Sequence, residues 1–412
     1  MAEYTKVQPD LSFVRNVIDS GGDTVKSCYQ CATCSVVCPL STPESPFPRK
    51  EMLWTQWGLA DKVAGDVDVW LCHQCADCTV YCPRDARPGD VLGAVRASAI
   101  RYYAKPKALA DMLSSPGGVI GAIIAAAVLV LVVAAAWSQV TGEGFPFPEG
   151  DVVYHKFLSV IPIDAIFLSI AAFVLFVCYN GVTNFWLDIS KGAGLPTSYT
   201  GSVPVPPFGV LIGRYTWPAI LEILSHARFK KCGQTVERAR GHLWLLWAFI
   251  ILFLVTNFVF IAEDLLHNAL HLIGPVTPMP LYHPVKLLAN FGAILMISGI
   301  WLIKTMRDKK TEEKVLKSSS QDWILIWLIF AVGATGIASE VFRLINVAQI
   351  AYPIYVFHLA CVAVLFLSLP YTKFGHLVYR TTAYIFKMWA DDVKAGKAGF
   401  GLEKPIAVEE AH

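Results

Sequence analysis

The chain has 412 residues, of which 55% are hydrophobic and 16% are charged, and its mean hydropathy is +0.50. Soluble domains carry roughly one quarter charged residues, so this composition excludes a protein that is soluble along its whole length. The formal net charge of +2 gives no reason to expect a nucleic-acid partner. Apolar residues are concentrated between positions 117 and 372, whereas residues 1–110 resemble a soluble domain in composition.

Three helices are predicted in this soluble domain. Apolar residues at helical spacing predict the first over 10–19, before a Gly-Gly pair. The second is expected over 49–62, after a proline-rich break, and the third from Asp90, as its N-cap, to about residue 103. The domain is too small for a large core, so it is expected to need bound metal for much of its stability, as the cysteines described next allow.

Two cysteine runs, 28–38 and 72–82, share the spacing C-x2-C-x2-C-x3-C, and a proline follows each run. This spacing is typical of bacterial two-cluster ferredoxins, where the fourth cysteine of a run ligates the other cluster. The runs therefore predict two [4Fe–4S] clusters with crossed ligands. One cluster takes Cys28, Cys31, Cys34 and Cys82, and the other takes Cys72, Cys75, Cys78 and Cys38.

Structural zinc and disulfides are the alternatives for these cysteines. A zinc site closes with four ligands, so it has no use for the third cysteine of a run or for the trailing Cys-Pro. A disulfide framework would require secretion. Residues 1–10 are polar and predict no signal peptide, so we expect the cluster domain in the cytoplasm, where thiols stay reduced.

Six apolar stretches follow, each long enough for the roughly 20 residues that cross a bilayer as a helix. They lie at about 117–138, 161–185, 242–262, 285–304, 323–342 and 352–372. We expect an all-α protein with three parts. A small helical, ferredoxin-like two-cluster domain (1–110) precedes a six-helix transmembrane haem b bundle (111–380) and a cytoplasmic tail (381–412).

The distribution of lysine and arginine predicts the orientation of the spans. Segments 187–241 and 305–322 and the tail after residue 372 are rich in both, whereas segment 139–160 carries one lysine and segment 263–284 carries neither. By the positive-inside rule, the basic segments lie in the cytoplasm. We therefore expect a multi-pass protein of the cytoplasmic (inner) membrane, with both termini and the clusters on the cytoplasmic side.

Histidines near the spans are candidate haem ligands, because ionisable residues in a membrane mark functional sites. His358 and His376 are 18 residues apart, which is five turns of one helix and roughly 27 Å. We expect both on one helix face, near opposite membrane surfaces, as suits two stacked b haems. His242 opens the third span, and we expect it to share the inner haem with His376. The alternative is that His376 is an interfacial histidine beside Lys373 and Arg380.

The outer partner of His358 is left open by the sequence, and a five-coordinate outer haem is also compatible with it. The candidates on the outer side are His283 and His267, which we favour, and His271 and His155. His226 lies in a basic amphipathic segment, where a surface role is favoured over contact with the cluster domain. His73, between two cluster cysteines, either tunes a cluster by hydrogen bonding or is solvated surface.

Both halves of the chain resemble known families. The two cysteine runs make residues 1–110 resemble the small iron–sulfur subunit of heterodisulfide reductase. The membrane part resembles the cytochrome b subunit of respiratory nitrate reductase, where a late span also carries two histidines 18 apart, as His358 and His376 are. The fusion resembles the membrane subunits of quinone-interacting membrane-bound oxidoreductase complexes, which serve sulfate respiration.

This resemblance implies one or two b haems, menaquinone, and partner subunits that carry flavin and iron–sulfur groups, with adenylylsulfate reductase as an eventual soluble partner. It also implies that Lys286 binds the quinone, since its position matches a quinol-binding lysine of the nitrate-reductase-type subunit. Snorkelling of Lys286 to the surface is the alternative. In the nitrate-reductase-type family, the first histidine-bearing span carries a second histidine ten residues further on. In this chain the residue ten positions after His242 is Leu252.

Clusters, haems and a quinone site predict an electron-transfer subunit between the quinone pool and a cytoplasmic partner. The chain has no dinucleotide-binding fingerprint on a strand–helix unit and no adjacent Cys-Cys pair, so substrate chemistry is expected on other subunits. Two alternatives remain open. One is the membrane arm of a heterodisulfide- or sulfite-linked reductase, and the other is an iron–sulfur anchor that does not conduct electrons.

Overall fold

A computed structural model describes residues 8–142, 145–190, 205–225, 238–274 and 276–395. Within these ranges the secondary structure is helical throughout, without a β-strand. This confirms the predicted all-α class.

Eight short helices lie between residues 8 and 115, all of which are described. They are α1 (Leu11–Val17), α2 (Thr33–Val36), α3 (Arg49–Gln56), α4 (Ala60–Ala64), α5 (Val67–Leu71), α6 (Asp77–Val80), α7 (Pro88–Tyr103) and α8 (Lys107–Leu113). A π-helical turn (Ile18–Gly22) and a 3₁₀ turn (Asp23–Ser27) follow α1. Helices α2 and α6 lie within the two cysteine runs, and α7 contacts α1, α3, α4, α5 and α6.

Two helices of this domain differ from the prediction. The helix expected over 49–62 is two helices, α3 and α4, because Gly58 between them has a φ of +70°, which does not continue a helix. The expected N-cap at Asp90 is wrong, since α7 begins at Pro88, whose ring suits the first helical position. The Asp90 carboxylate instead accepts a hydrogen bond from Arg87 Nε at 2.7 Å.

Six helices among the described residues are long and apolar enough to cross a membrane, which confirms the predicted spans. They are α9 (Pro116–Thr141), α11 (Val160–Ser190), α13 (Arg238–Val259), α14 (Pro284–Glu312), α15 (Ser320–Leu344) and α16 (Ala348–Ser368). Helix α13 continues as a π-helix over Phe260–Ala269. Helices α10 (Tyr154–Phe157) and α12 (Phe208–Ser225) lie between spans, and α17 (His376–Lys394) follows the last, after a 3₁₀ turn over Lys373–Gly375.

Glycines bring α13 and α14 into close contact. A Cβ on Gly241 would lie 3.1 Å from Gly299 O, and a Cβ on Gly299 would lie 2.9 Å from Leu245 N. In lipid, small residues of this kind let two helices pack by van der Waals contact and associate. The contact fixes the start of α13, where His242 lies.

Helix α17 joins the cluster domain to the membrane helices. Its Tyr379 stacks on Trp70 of α5 at a ring-centroid distance of 4.7 Å and meets Phe185 of α11 at 5.8 Å. Trp389 of the same helix is also buried, and each such aromatic side chain stabilises the fold by roughly 2–3 kcal/mol. Residues 381–394, which the sequence assigned to a tail, are therefore part of a packed helix.

The sixth span does not carry both histidines, so the expectation of one continuous helix is wrong. Helix α16 ends at Ser368, Pro370 follows, and His376 begins α17. Proline lacks the N–H that would continue the helix. His358 lies in the middle of α16, about 15 Å from either end at 1.5 Å per residue, rather than near the outer surface.

Candidate cluster and haem sites

The two cysteine runs have the same backbone conformation. Gln30 and Ala32 in the first run, and Gln74 and Ala76 in the second, all have positive φ, from 50° to 69°. Helices α2 and α6 begin directly after the two alanines. Positive φ is strained for these residues, and such turns direct successive backbone N–H groups toward one point, as in many iron–sulfur sites.

Site I is the group Cys28, Cys31, Cys34 and Cys82. These cysteines line one cleft with Tyr29, Arg49 and Arg84 at its rim. Burial, together with the charges of the other three thiols, raises the pKa of Cys34 to about 11. Cys31 is exposed, so site I opens to the surface of the domain.

Site II is the group Cys38, Cys72, Cys75 and Cys78. Burial raises the pKa of Cys38 to about 12, and the nearby thiols of Cys72 and Cys75 add to this. Burial also raises the pKa of Cys78, followed by the charges of Cys72, Cys75 and Cys38. The structure thus places the fourth cysteine of each run beside the first three of the other run.

The spacing of the sulfurs does not suit a zinc ion. Among the described cysteines, no three sulfurs lie within 4.8 Å of one another. Four thiolates that share one zinc ion, each at about 2.3 Å, would stand about 4 Å apart.

The rings of His242 and His376 lie 6.4 Å apart between their centroids, with an angle of 74° between the ring planes. Two imidazoles that bind one metal from opposite sides, each at about 2 Å, place their centroids about 6 Å apart. The spacing therefore fits two histidines that would hold one haem iron between them.

The protonation of His376 also suits a metal ligand. Its Nδ1 lies 2.6 Å from Lys373 O, which can only accept, so Nδ1 donates and Nε2 carries the lone pair. Burial, followed by the charge of Arg96, lowers the pKa of His376 to about 4, which keeps the ring neutral. Metal-bound histidines commonly donate their second ring N–H to a carbonyl in this way.

His358 lies against α15, in contact with Thr335 and Gly336. The Thr335 hydroxyl donates to Ala331 O at 2.6 Å, so it accepts from His358 Nδ1 at 3.0 Å and leaves the lone pair on Nε2. A Cβ on Gly336 would lie 3.1 Å from the His358 ring. No other histidine ring in the described part of the chain is in contact with His358.

The remaining candidate histidines are placed as follows. His267 Nδ1 is 2.8 Å from Ile273 O in its own segment, and His283 is the N-cap of α14 with a buried Nδ1 that has no hydrogen-bond partner. His155 and His271 are exposed. His226 and Cys232 lie outside the described residues.

Profiles of two protein families match this architecture. The 4Fe-4S dicluster domain family matches residues 24–86, and the Citrate utilization protein B family matches residues 121–398. The second match covers more than half of the chain. The chain belongs to the Citrate utilization protein B family.

Within this family, the chain is 25% identical to Citrate utilization protein B of Escherichia coli over an alignment of 317 positions, which covers 74% of this chain and 75% of that protein. No solved structure matches the chain. The family match, the dicluster domain and the six apolar helices define a multi-pass iron–sulfur membrane protein. This combination fits a membrane electron-transfer subunit.

Lys286 of this family member pairs with a residue that the sequence analysis missed. Its Nζ lies 2.9 Å from Glu340 Oε2 on α15, and Asn290 Nδ2 donates to Glu340 Oε1 at 3.3 Å. Lys286 thus contacts a neighbouring helix instead of extending alone to the surface. The signal that could have found Glu340 is a carboxylate inside an apolar span, because such groups are seldom without function.

Ion pairs and hydrogen bonds attach the cluster domain to the loop between α14 and α15. Lys317 Nζ lies 2.7 Å from Asp23 Oδ1, and Arg87 Nη1 donates to Lys314 O at 2.9 Å. This loop belongs to the lysine-rich segment 305–322. The clusters are therefore on the same side of the bundle as the basic segments.

Proposed function

We propose that this chain moves electrons between the menaquinone pool and cytoplasmic partner subunits through b haems and two [4Fe–4S] clusters. The contact between His242 and His376 carries the proposal. Their rings have the spacing of two ligands of one haem, and the helices that bear them also contact the backbone of site II. A haem and a cluster at these places would be neighbours.

In this proposal, sites I and II each hold a [4Fe–4S] cluster, which supplies a one-electron carrier when bound. Hydrogen bonds to the cysteine sulfurs stabilise their negative charge and so tune the cluster potentials. Gln74 N donates to Cys72 Sγ at 3.4 Å, and Ala86 N donates to Cys82 Sγ at 3.3 Å. The residues around the clusters orient them and set their potentials.

The outer half of the route uses His358 and the polar group Lys286, Asn290 and Glu340. We propose that His358 holds an outer haem and that the polar group binds the quinone head. His283 and His267 stay the two candidates for the second ligand of this haem, and the buried Nδ1 of His283 has no hydrogen-bond partner in the structure.

The proposed orientation follows from the positive-inside rule, with the clusters and both termini in the cytoplasm and the chain in the inner membrane. Site I is the point of exchange with partner subunits, because Cys31 is exposed. The partners proposed are flavin- and iron–sulfur-containing subunits, as in quinone-interacting oxidoreductase complexes, and eventually adenylylsulfate reductase.

The family match favours a second candidate with the same electron path. The name of the Escherichia coli relative refers to citrate utilization, so the soluble partner would be an enzyme of citrate use. Two assays on the intact complex and its host separate the two candidates. Oxidation of the clusters by adenylylsulfate supports the first candidate. A requirement of the gene for growth on citrate supports the second.

The purified full chain tests the proposal. We expect b-haem absorbance and a [4Fe–4S] electron paramagnetic resonance (EPR) signal, and a quinone analogue should alter the haem spectrum. Protein that contains clusters without haem would refute the membrane half of the route. Quinone-coupled turnover that survives substitution of His376 would favour the non-conducting anchor.

A further inference from the structure

Three arginines hold the backbone of the second cysteine run where it faces the membrane helices. Arg96 donates to Cys72 O at 2.8 Å, and Arg380 donates to the same carbonyl at 3.2 Å. Arg238 donates to the carbonyl of the next residue, His73. The carbonyl oxygens of Cys72 and His73, beside site II, therefore each accept a hydrogen bond from at least one positively charged guanidinium.

The ring of His73 is also buried and hydrogen-bonded. The side chain is 7% exposed, and its Nδ1 lies 2.7 Å from Arg380 Nη2. Because a guanidinium only donates, Nδ1 accepts, and the hydrogen of the neutral ring is on Nε2. His73 is therefore a buried, hydrogen-bonded residue and not the solvated surface residue that its sequence position also allowed.

Arg238 and Arg380 are each one helical turn from one of the two proposed ligands of the inner haem, His242 and His376. Arg238 precedes His242 by four residues on α13, and Arg380 follows His376 by four residues on α17. Residues four apart lie on the same helix face. The same two helix faces therefore contact site II and present the proposed haem ligands.

We propose that Arg380 and His73 couple site II electronically to the haem held by His242 and His376, an inference that rests on the function proposed above. The route runs from Cys72 through one peptide bond to His73, across the hydrogen bond to Arg380, and along one turn of α17 to His376. Every link is a covalent bond or a hydrogen bond. The step moves one electron in either direction, and no covalent bond forms or breaks.

The charge of Arg380 has a second consequence. Reduction adds negative charge to a cluster, and a nearby guanidinium stabilises that charge, the more so because the site is partly shielded from water. Arg380 is thus a positioning residue that raises the potential of the cluster at site II. A purely structural role, such as its hydrogen bond to Tyr384 OH at 3.2 Å, would leave that potential unchanged.

The test uses the full-length membrane protein with the variants Arg380→Gln and Arg380→Lys. Arg84→Gln is the matched control, since Arg84 lies at the rim of site I, over the Tyr29 ring at 5.8 Å. Both cluster potentials are measured by EPR-monitored titration. The rate at which haem and cluster equilibrate after rapid one-electron reduction is measured by absorbance.

We expect Arg380→Gln to lower one cluster potential and to slow equilibration by about tenfold, with haem and cluster contents unchanged. Arg380→Lys should restore the potential but only part of the rate, and Arg84→Gln should shift the other cluster alone. Unchanged potentials and rate in Arg380→Gln would overturn the inference while the proposed function stands. Absence of haem from the unmodified protein would overturn both.

A second variant covers the case in which Arg380→Gln does not assemble. His73→Phe removes the Nδ1 acceptor and leaves all three arginines in place. Slower equilibration with little change in potential supports the coupling role. An unchanged rate in His73→Phe shows that electrons do not pass through this residue and overturns the proposed route.

Discussion

His242, at the start of the third span, and His376, after the sixth, place their rings 6.4 Å apart. The two residues belong to different helices that are joined to site II by Arg238 and Arg380. The first prediction concerns this pair. Replacing either His242 or His376 with alanine should remove one haem while both clusters remain, because each variant deletes one axial ligand.

The haem-to-protein ratio from absorbance and the EPR signal of the clusters check this prediction together. Quinol-dependent reduction of the clusters should fall by about tenfold or more. His271→Ala, which alters an exposed outer histidine, is the control and should retain all haem. Full haem content in His376→Ala would contradict the assignment.

The crossed arrangement of the cysteines gives the second prediction. Cys82 lies with the first three cysteines of the first run. Cys82→Ser should therefore alter the same EPR signal as Cys31→Ser, and a different signal from Cys75→Ser. Cys178→Ser, in a membrane span, should leave both signals intact. If Cys82→Ser and Cys75→Ser change the same signal, each run ligates its own cluster.

The third prediction concerns the ion pair between Lys286 and Glu340. Lys286→Met should raise the KM for menaquinol by about tenfold, because a hydrogen-bonding charge at the proposed quinone site is lost. The inner haem spectrum should not change. Lys304→Met is a matched control, since Lys304 is on the same helix and pairs with Asp308 at 2.7 Å. Equal KM values in the two variants would exclude a quinone role for Lys286.

The fourth prediction concerns a buried charge cluster in the N-terminal domain. Lys50 is paired with Glu51 and Asp66. Burial is the main reason that the pKa of Glu51 is raised above its ordinary value and that of Asp66 is raised to about 6, although the charge of Lys50 opposes both shifts. The folded state therefore retains carboxyl protons that the unfolded state releases above a pH of about 4.5.

Stability should consequently fall as the pH rises from about 4 to about 6, between the ordinary and the raised pKa of Asp66, by at most about 1.4 kcal/mol per pH unit for each retained proton. Glu51→Gln cannot ionise, so its unfolding temperature should exceed that of the unmodified protein by a margin that grows with pH. Thermal loss of iron–sulfur absorbance measures this. The exposed Asp61→Asn is the control, and a margin independent of pH would contradict the prediction.

Much of the protein follows from local sequence patterns. The six spans are predictable because a helix in lipid needs about 20 apolar residues in succession. The cysteine spacing predicts two clusters because three closely spaced thiolates reach one cluster and the fourth reaches the other. Such patterns can be recognised in the sequence because each depends on residues that lie close together in the chain.

The histidines show the limit of local patterns. A spacing of 18 residues suggested one helix face for His358 and His376, but Pro370 ends the helix between them. The pairing of His242 with His376 was nonetheless expected, because depth in the membrane can be read from span ends. The ligands of an outer haem could not be chosen from depth alone.

The sequence by itself determined the helical class, the membrane spans and the twin cysteine sites, because hydrophobic length and ligand spacing are properties of continuous segments. Only the tertiary structure decided that Arg380 binds His73, that Glu340 faces Lys286, and that α17 packs on the cluster domain. These contacts join residues far apart in the chain. They depend on how helices pack, which small residues such as Gly241 and Gly299 decide through close contact.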